Sequence, residues 1–259
     1  MGVDGNHRAE QRRELADKIR SDHQRSTRKL QILTTSIVIL GMVAAAGSVL
    51  WLRATTASDE AEVTAPQHAT DDYGFMFTLD GEGEAPTEAT RVDVYEDFLC
   101  STCKVFQDRT GAFLTDQAQS GTIALVYHPL AFLKNEAGDD YSLRAANAAA
   151  CVADVAGPSA YAAMHGLLLV NQPAYDQPGL TDEQLASFAT EVGATDVADC
   201  IAERTFGPWV EAATQAALRA DVHETPTVRV DGMGVVKSDD GVVTIPGEAE
   251  IRFAIEALR

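Results

Sequence analysis

Hydrophobic and polar positions divide the 259-residue chain into three stretches of different character. Leu30 to Leu52 holds no charged side chain. Rising about 1.5 Å per residue, that run measures about 34 Å, enough to cross a hydrocarbon core of about 30 Å. It predicts a single transmembrane helix, with Trp51 at an interface where aromatic residues concentrate. Residues 53–72 are rich in Ala, Thr, Asp and Glu without an apolar period, which predicts a flexible linker. From residue 73 to 259 strand-like and helix-like spacings alternate, and a stretch of this length suits one domain with an insertion.

Within that domain the pattern predicts a first strand at Phe75–Leu79 and a Gly/Glu/Pro turn region at Asp80–Pro86. Val92–Tyr95 is strand-like, and Lys104–Ser120 carries Val105, Phe106, Phe113 and Leu114 at broadly helical spacing. Gly121 ends that helix, and Thr122–Tyr127 reads as a buried strand. Strand, helix and strand at this length imply a crossover and a parallel pair. Residues 139–221 are Ala-rich, with candidate helices at Ser142–Ala156, Ser159–Leu169, Thr181–Val192, Thr195–Arg204 and Gly207–Ala220. Thr181-Asp182-Glu183-Gln184 has the form of a capping box. Thr227–Val230 then reads as a strand ending in a turn at Asp231-Gly232. A second strand is expected at Gly241–Ile245, with Val236-Lys237 in the intervening hairpin, and an amphipathic helix at Glu248–Leu258. The fold class expected is therefore α/β with a helical insertion, preceded by one transmembrane helix.

Charge orients the chain. Residues 12–29 hold seven Lys or Arg, whereas residues 53–72 hold only Arg53. The excess of positive charge stays inside, so residues 1–29 are expected in the cytoplasm and everything after Arg53 outside it. A cleaved signal peptide would have an apolar region of about 7–15 residues behind a short leader. Here the leader is 29 residues and the apolar run longer, so an uncleaved signal anchor is expected, although Ala54–Ala57 weakly resembles a cleavage site. The tail carries a net charge of +3 and the rest of the chain −22. An exterior that acidic argues against nucleic-acid binding and against lying on an anionic lipid surface.

Cys100-Ser101-Thr102-Cys103 sits where a strand gives way to a helix. Two thiols at that spacing can close a disulfide across a first helical turn. The first also faces unpaired backbone N–H groups there, which stabilise a thiolate and can lower its pKa from about 8.5 to roughly 3.5–7.5. Such a thiol is both nucleophile and leaving group. A zinc site would need a second close pair of ligands, and neither the isolated Cys151 and Cys200 nor the six histidines supply one. An inert structural disulfide is the other alternative. In an exported compartment disulfides persist. Of the three pairings of four cysteines, one keeps the close pair together: Cys100–Cys103 with Cys151–Cys200, the second expected to be structural.

Tyr95-Glu96-Asp97-Phe98-Leu99-Cys100-Ser101-Thr102-Cys103 resembles the active-site stretch of DsbA-like thioredoxin-fold oxidoreductases, and Thr225-Pro226-Thr227 resembles their cis-proline loop. The resemblance covers residues from about 75 to 259. It implies a thioredoxin-like fold, Cys100 as the exposed nucleophile, Cys103 as the buried resolving thiol, and a cis Thr225–Pro226 bond in the substrate-binding loop. It also implies exported cysteine-containing proteins as substrates, a quinone-linked membrane oxidase as redox partner, and no metal or other cofactor. The chain departs from the family in having Ser101-Thr102 where Pro commonly follows the first cysteine. It also has Val94 where many relatives carry an acid six residues before that cysteine.

Around the motif, Glu96 and Asp97 are expected to be ordinary surface charges at a strand end, the alternative being a relay for the Cys103 proton. His128 is expected to be a satisfied structural residue and His223 an exposed loop residue, the alternatives being approach to the site for His128 and a place lining the substrate groove for His223. Phe98, Leu99, Phe132 and Leu133 are candidates for an apolar apron or, equally, for core packing, and Lys104 for a modest, solvent-screened lowering of the Cys100 pKa. The function expected is a membrane-anchored oxidoreductase forming disulfides in exported proteins. The alternatives are a reductase or isomerase kept reduced by a membrane donor, and a non-enzymatic module with two structural disulfides.

Overall fold

The computed structural model describes residues 63–77, 89–239 and 242–258. The predicted cytoplasmic tail (1–29), the predicted span (30–52) and residues 53–62 of the predicted linker lie outside the described residues. Among the described residues no helix is long and apolar enough to cross a membrane.

Five strands form the central sheet in the order β1-β3-β2-β4-β5: β1 (Phe75–Met76), β2 (Thr90–Asp97), β3 (Ile123–Leu130), β4 (Thr227–Val230) and β5 (Met233–Val235). β2 and β3 run parallel, with Val92 opposite Leu125 and Asp97 opposite Leu130. The other pairings, β1 with β3, β2 with β4 and β4 with β5, are antiparallel. A parallel pair needs a long crossover, and α1 (Ser101–Gln119) supplies it. Gly121, at φ 70°, turns the chain out of that helix into β3. Every residue of β3 is buried, as befits a strand covered on both faces.

Four helices separate β3 from β4: α2 (Tyr141–Val170), α3 (Asp182–Glu191), α4 (Ala198–Glu203) and α5 (Gly207–Arg219). The two helices expected around Ala156–Ser159 share one element. Its break lies at Gly157, whose φ of 78° and ψ of −177° leave the helical region just before Pro158. The first half of α2 is buried nearly all round because alanine fills it; Ala145, Ala146, Ala148, Ala149 and Ala150 are fully covered. Small side chains let α3, α4 and α5 approach it closely. Thr181 and Gln184 form the reciprocal capping box at the start of α3. Cys151 on α2 and Cys200 on α4 are joined by a disulfide. Arg144 adds ion pairs to Asp139, Asp140 and Asp182.

The β4–β5 hairpin differs from expectation. Asp231 (φ 45°) and Gly232 (φ 79°) make a two-residue turn with both central residues at positive φ, the geometry that suits strand twist. The partner of β4 therefore follows at once as Met233–Val235, not at residues 241–245. β6 (Lys237–Asp239) and β7 (Val242–Thr244) pair separately as a two-stranded ribbon. α6 (Glu248–Ala257) closes the fold against α1, β4 and β5. Residues 63–72, expected in the linker, belong to the packed unit that begins at Val63. The Gln67 amide donates to Asp154, and Ala69 bridges to Phe75. The local composition is polar, and contacts from far along the chain fix it.

Candidate active site

β2 ends at Asp97, and two buried residues, Phe98 and Leu99, carry the chain to Cys100, which caps α1. Cys100 has extended backbone angles, and its sulfur accepts a hydrogen bond from the Cys103 amide at 3.3 Å. It thereby does the work of a serine or aspartate cap with a thiol. Cys100 and Cys103 are both free. Cys103 is 0% exposed and Cys100 5%, so the nucleophile expected to be exposed is largely covered. Thr102 Oγ1 lies 2.9 Å from the Cys100 sulfur, and the Thr225 carbonyl accepts at 3.2 Å from both the thiol and the Thr102 hydroxyl. The Thr225–Pro226 bond is cis.

Two side chains from elsewhere hold this turn in place. Gln172, just past α2, donates through Nε2 to the carbonyls of Phe98 (2.9 Å) and Cys100 (3.0 Å). Lys104, a candidate for modestly lowering the Cys100 pKa, is engaged elsewhere. Its ammonium caps the C-terminal end of α2 through the Leu169 (3.1 Å) and Val170 (2.8 Å) carbonyls. Lys104 and Gln172 together clamp the helical insert to the motif.

The two sulfurs sit in opposite electrostatic environments. Cys100 is lowered from 9.0 to about 6, chiefly by the Cys103 thiol hydrogen-bonding to it, against burial, with further help from Thr102, Thr225 and the Cys103 amide. Burial pushes Cys103 far above its ordinary range, and hydrogen bonding to Cys100 and the charge of Glu96 add to that. A neutral hydroxyl at Thr102 thus contributes where a charged neighbour was absent from the motif. We expect ultraviolet thiolate absorbance of the reduced protein to show one cysteine half-ionised near pH 6 and no second midpoint below pH 9. A lone midpoint near 9 would remove the electrostatic argument for Cys100 as nucleophile.

A cleft of about 700 Å3 opens over Cys100, walled by Leu99, Phe132, Leu133, Ala174, Tyr175 and Thr225. A second, of about 680 Å3, lies across the Thr225–Pro226 loop, beside β4, β5 and the segment Thr244–Pro246. His223 and Glu224 border both. Phe132 and Leu133 are part-exposed along the cleft where the apron is expected, whereas Phe98 and Leu99 are core, Leu99 meeting the cleft only at its edge. His223 is exposed, and His128 is buried with Nε2 on Asp93 at 2.9 Å. Asp93 also meets Arg91, which reaches Asp72 as well.

Glu96 and Asp97 overturn the expectation of surface charge, being 2% and 0% exposed. Glu96 Oε2 meets His165 Nε2 from α2, while Oε1 has no hydrogen-bond partner. Asp97 accepts four hydrogen bonds and, driven by burial, is raised from 3.8 to about 6. Both burials depend on residues 35 or more positions away, which no local pattern reveals.

A thioredoxin family model matches residues 80–242. Among solved structures, DsbA from Mycobacterium tuberculosis in its reduced form is 31% identical, with a TM-score of 0.55 over 64% of this chain and 86% of that one. The chain belongs to the DsbA-like thioredoxin-fold family. The disulfide oxidoreductase DsbG of M. tuberculosis is also 31% identical, with a TM-score of 0.56 over 66% of this chain and 83% of that one. BdbD from Bacillus subtilis, at 20% identity, shares the fold, with a TM-score of 0.57 over 74% and 96%. No curated protein gives a significant match. As a DsbA-like protein the chain is a thiol–disulfide oxidoreductase, with a mixed α/β thioredoxin-like fold and a helical region.

Proposed function

We propose that this oxidoreductase is anchored by residues 30–52, faces the outside of the cell membrane, and forms disulfides in exported proteins through Cys100 and Cys103. The observation that carries the reading is the opposed pair of sulfurs, one lowered to about 6 at a helix start and one buried and raised. In the disulfide form a substrate thiolate attacks Cys100. A mixed disulfide forms, and the Cys100–Cys103 bond breaks with its electron pair on Cys103, which takes up a proton. A second substrate thiolate attacks the substrate sulfur and expels Cys100. The substrate leaves oxidised by two electrons and the enzyme reduced. Low thiol pKa makes Cys100 the better leaving group, so release of oxidised product is favoured. Thr225 and Pro226 would align an extended substrate along their backbone edge. Reoxidation falls to a quinone-linked membrane oxidase.

Linkage supports the oxidising direction. The folded pKa of Cys100 lies below its unfolded value, so the stabilisation of the reduced form is complete above about pH 9 and lost as pH falls through about 6. At pH 7 about one unit remains, on the order of 1 kcal/mol after allowing for solvent at the cleft, or about 20 mV for a two-electron couple. That is a modest share of the roughly 90 mV separating thioredoxin-like from isomerase-like potentials. The test is the reduction potential of the protein equilibrated with glutathione and read by mass spectrometry. A value near or above about −180 mV is expected; one near −270 mV or lower would make the protein a reductase.

A further inference from the structure

One carboxylate ties together three segments that converge on Cys100. Asp97 Oδ1 accepts from the Leu99 amide (2.8 Å) and the Ser142 hydroxyl (2.7 Å). Its Oδ2 accepts from the amides of Phe132 (2.8 Å) and Leu133 (2.9 Å). Leu99 precedes the nucleophile, Phe132 and Leu133 form a wall of the cleft over it, and Ser142 opens the insert helix that carries Gln172 just past its far end.

All four partners are donors, so the site is built for an acceptor-only group. An asparagine would offer one acceptor oxygen and turn its NH2 towards two donors, leaving them unsatisfied. The group is also held at a cost: no basic side chain forms an ion pair with Asp97 among the described residues, and burial raises its pKa despite the four bonds. The four bonds offset part of that burial cost. The return is in where the four bonds lead, namely the side of the cleft that a polypeptide must touch and a small thiol need not.

We infer that Asp97 is a positioning residue that holds the Phe132–Leu133 wall in register with Cys100, so that it governs the docking of polypeptide substrates more than the sulfur chemistry. This rests on the cleft over Cys100 being the substrate site, as proposed above. In contrast to the sulfur pair, it assigns a role to a side chain that touches neither substrate nor sulfur.

The test compares two dithiols with the full-length, disulfide-form protein. One is a reduced unfolded peptide with aromatic residues beside its cysteines; the other is dithiothreitol, which needs no wall. Each is oxidised to its disulfide as the enzyme disulfide is reduced. With Asp97→Asn the expected loss in the single-turnover second-order rate constant for the peptide exceeds that for dithiothreitol by about tenfold or more, carried by a higher half-saturating peptide concentration, as misplacement by about 1 Å can cost more than that. Equal losses on both substrates, or no loss on either, would overturn the inference. If Asp97→Asn does not fold, Ser142→Ala removes one donor alone and should give a smaller loss of the same peptide-selective kind; an unselective loss would again overturn it. If the wild-type protein oxidises neither dithiol, the functional reading fails and this inference falls with it.

Discussion

Serine in place of Cys100 is expected to abolish dithiol oxidation while leaving the fold intact. The fold should survive because position 100 is a helix cap, where the side chain accepts the Cys103 amide. Serine is among the best residues for that task. The chemistry should not survive, because no hydroxyl at that place can form the mixed disulfide. Cys103→Ser should behave differently. Cys100 would keep its cleft and its amide donor while losing the thiol that resolves it, so covalent adducts with thiol substrates should accumulate through Cys100 alone. Mass spectrometry of the protein after exposure to an activated disulfide peptide separates the two variants, and a dithiol-peptide assay measures turnover. Full turnover by Cys100→Ser, with unchanged thermal unfolding, would remove Cys100 from the reaction and restore the reading in which the close cysteine pair is a structural bond.

The parts of the site legible in the sequence are those held by short-range pattern. Alternation in Val92–Tyr95 and helical spacing after Lys104 place the cysteine pair at a strand–helix junction, because both periods are written within twenty residues. Thr225-Pro226 is visible because proline restricts its own backbone. What stays hidden depends on α2 arriving from far along the chain. Asp97 reads as a surface acid until Ser142 and the Phe132–Leu133 amides surround it. Glu96 reads likewise until His165 meets it across 69 positions. Lys104 shows the same effect in reverse. Its sequence neighbour is a thiol, yet the carbonyls that end α2 outcompete it for the ammonium. Gln172 and Tyr175 carry no local signal at all, being polar and aromatic residues in an irregular loop that gain meaning only from their position over Cys100.

Removing the second disulfide is expected to destabilise the fold strongly. Cys151 and Cys200 are 49 positions apart. Closing a loop of that length restricts the unfolded chain by about 4 kcal/mol in the chain-entropy account. The native side adds to this. α4 is a six-residue helix with no side-chain cap, too short to persist by itself. Beyond the disulfide, Asn147 of α2 reaches it by donating to the Cys200 and Ile201 carbonyls. A Cys151→Ala/Cys200→Ala double variant is therefore expected to unfold roughly 8–16 °C lower, taking about 2–4 °C per kcal/mol for a domain of this size. Because α2 also carries Ser142 and His165 to the acids beneath the cysteines, the loss should be felt at the site before it is seen globally. Peptide oxidation is expected to decline with temperature ahead of the loss of helical circular dichroism in the variant, while the two decline together in the parent. A thermal midpoint within about 2 °C of the parent would mean that packing, Asn147 and the Arg144 ion pairs hold the insert without it, and that the disulfide contributes little to the stability of this fold.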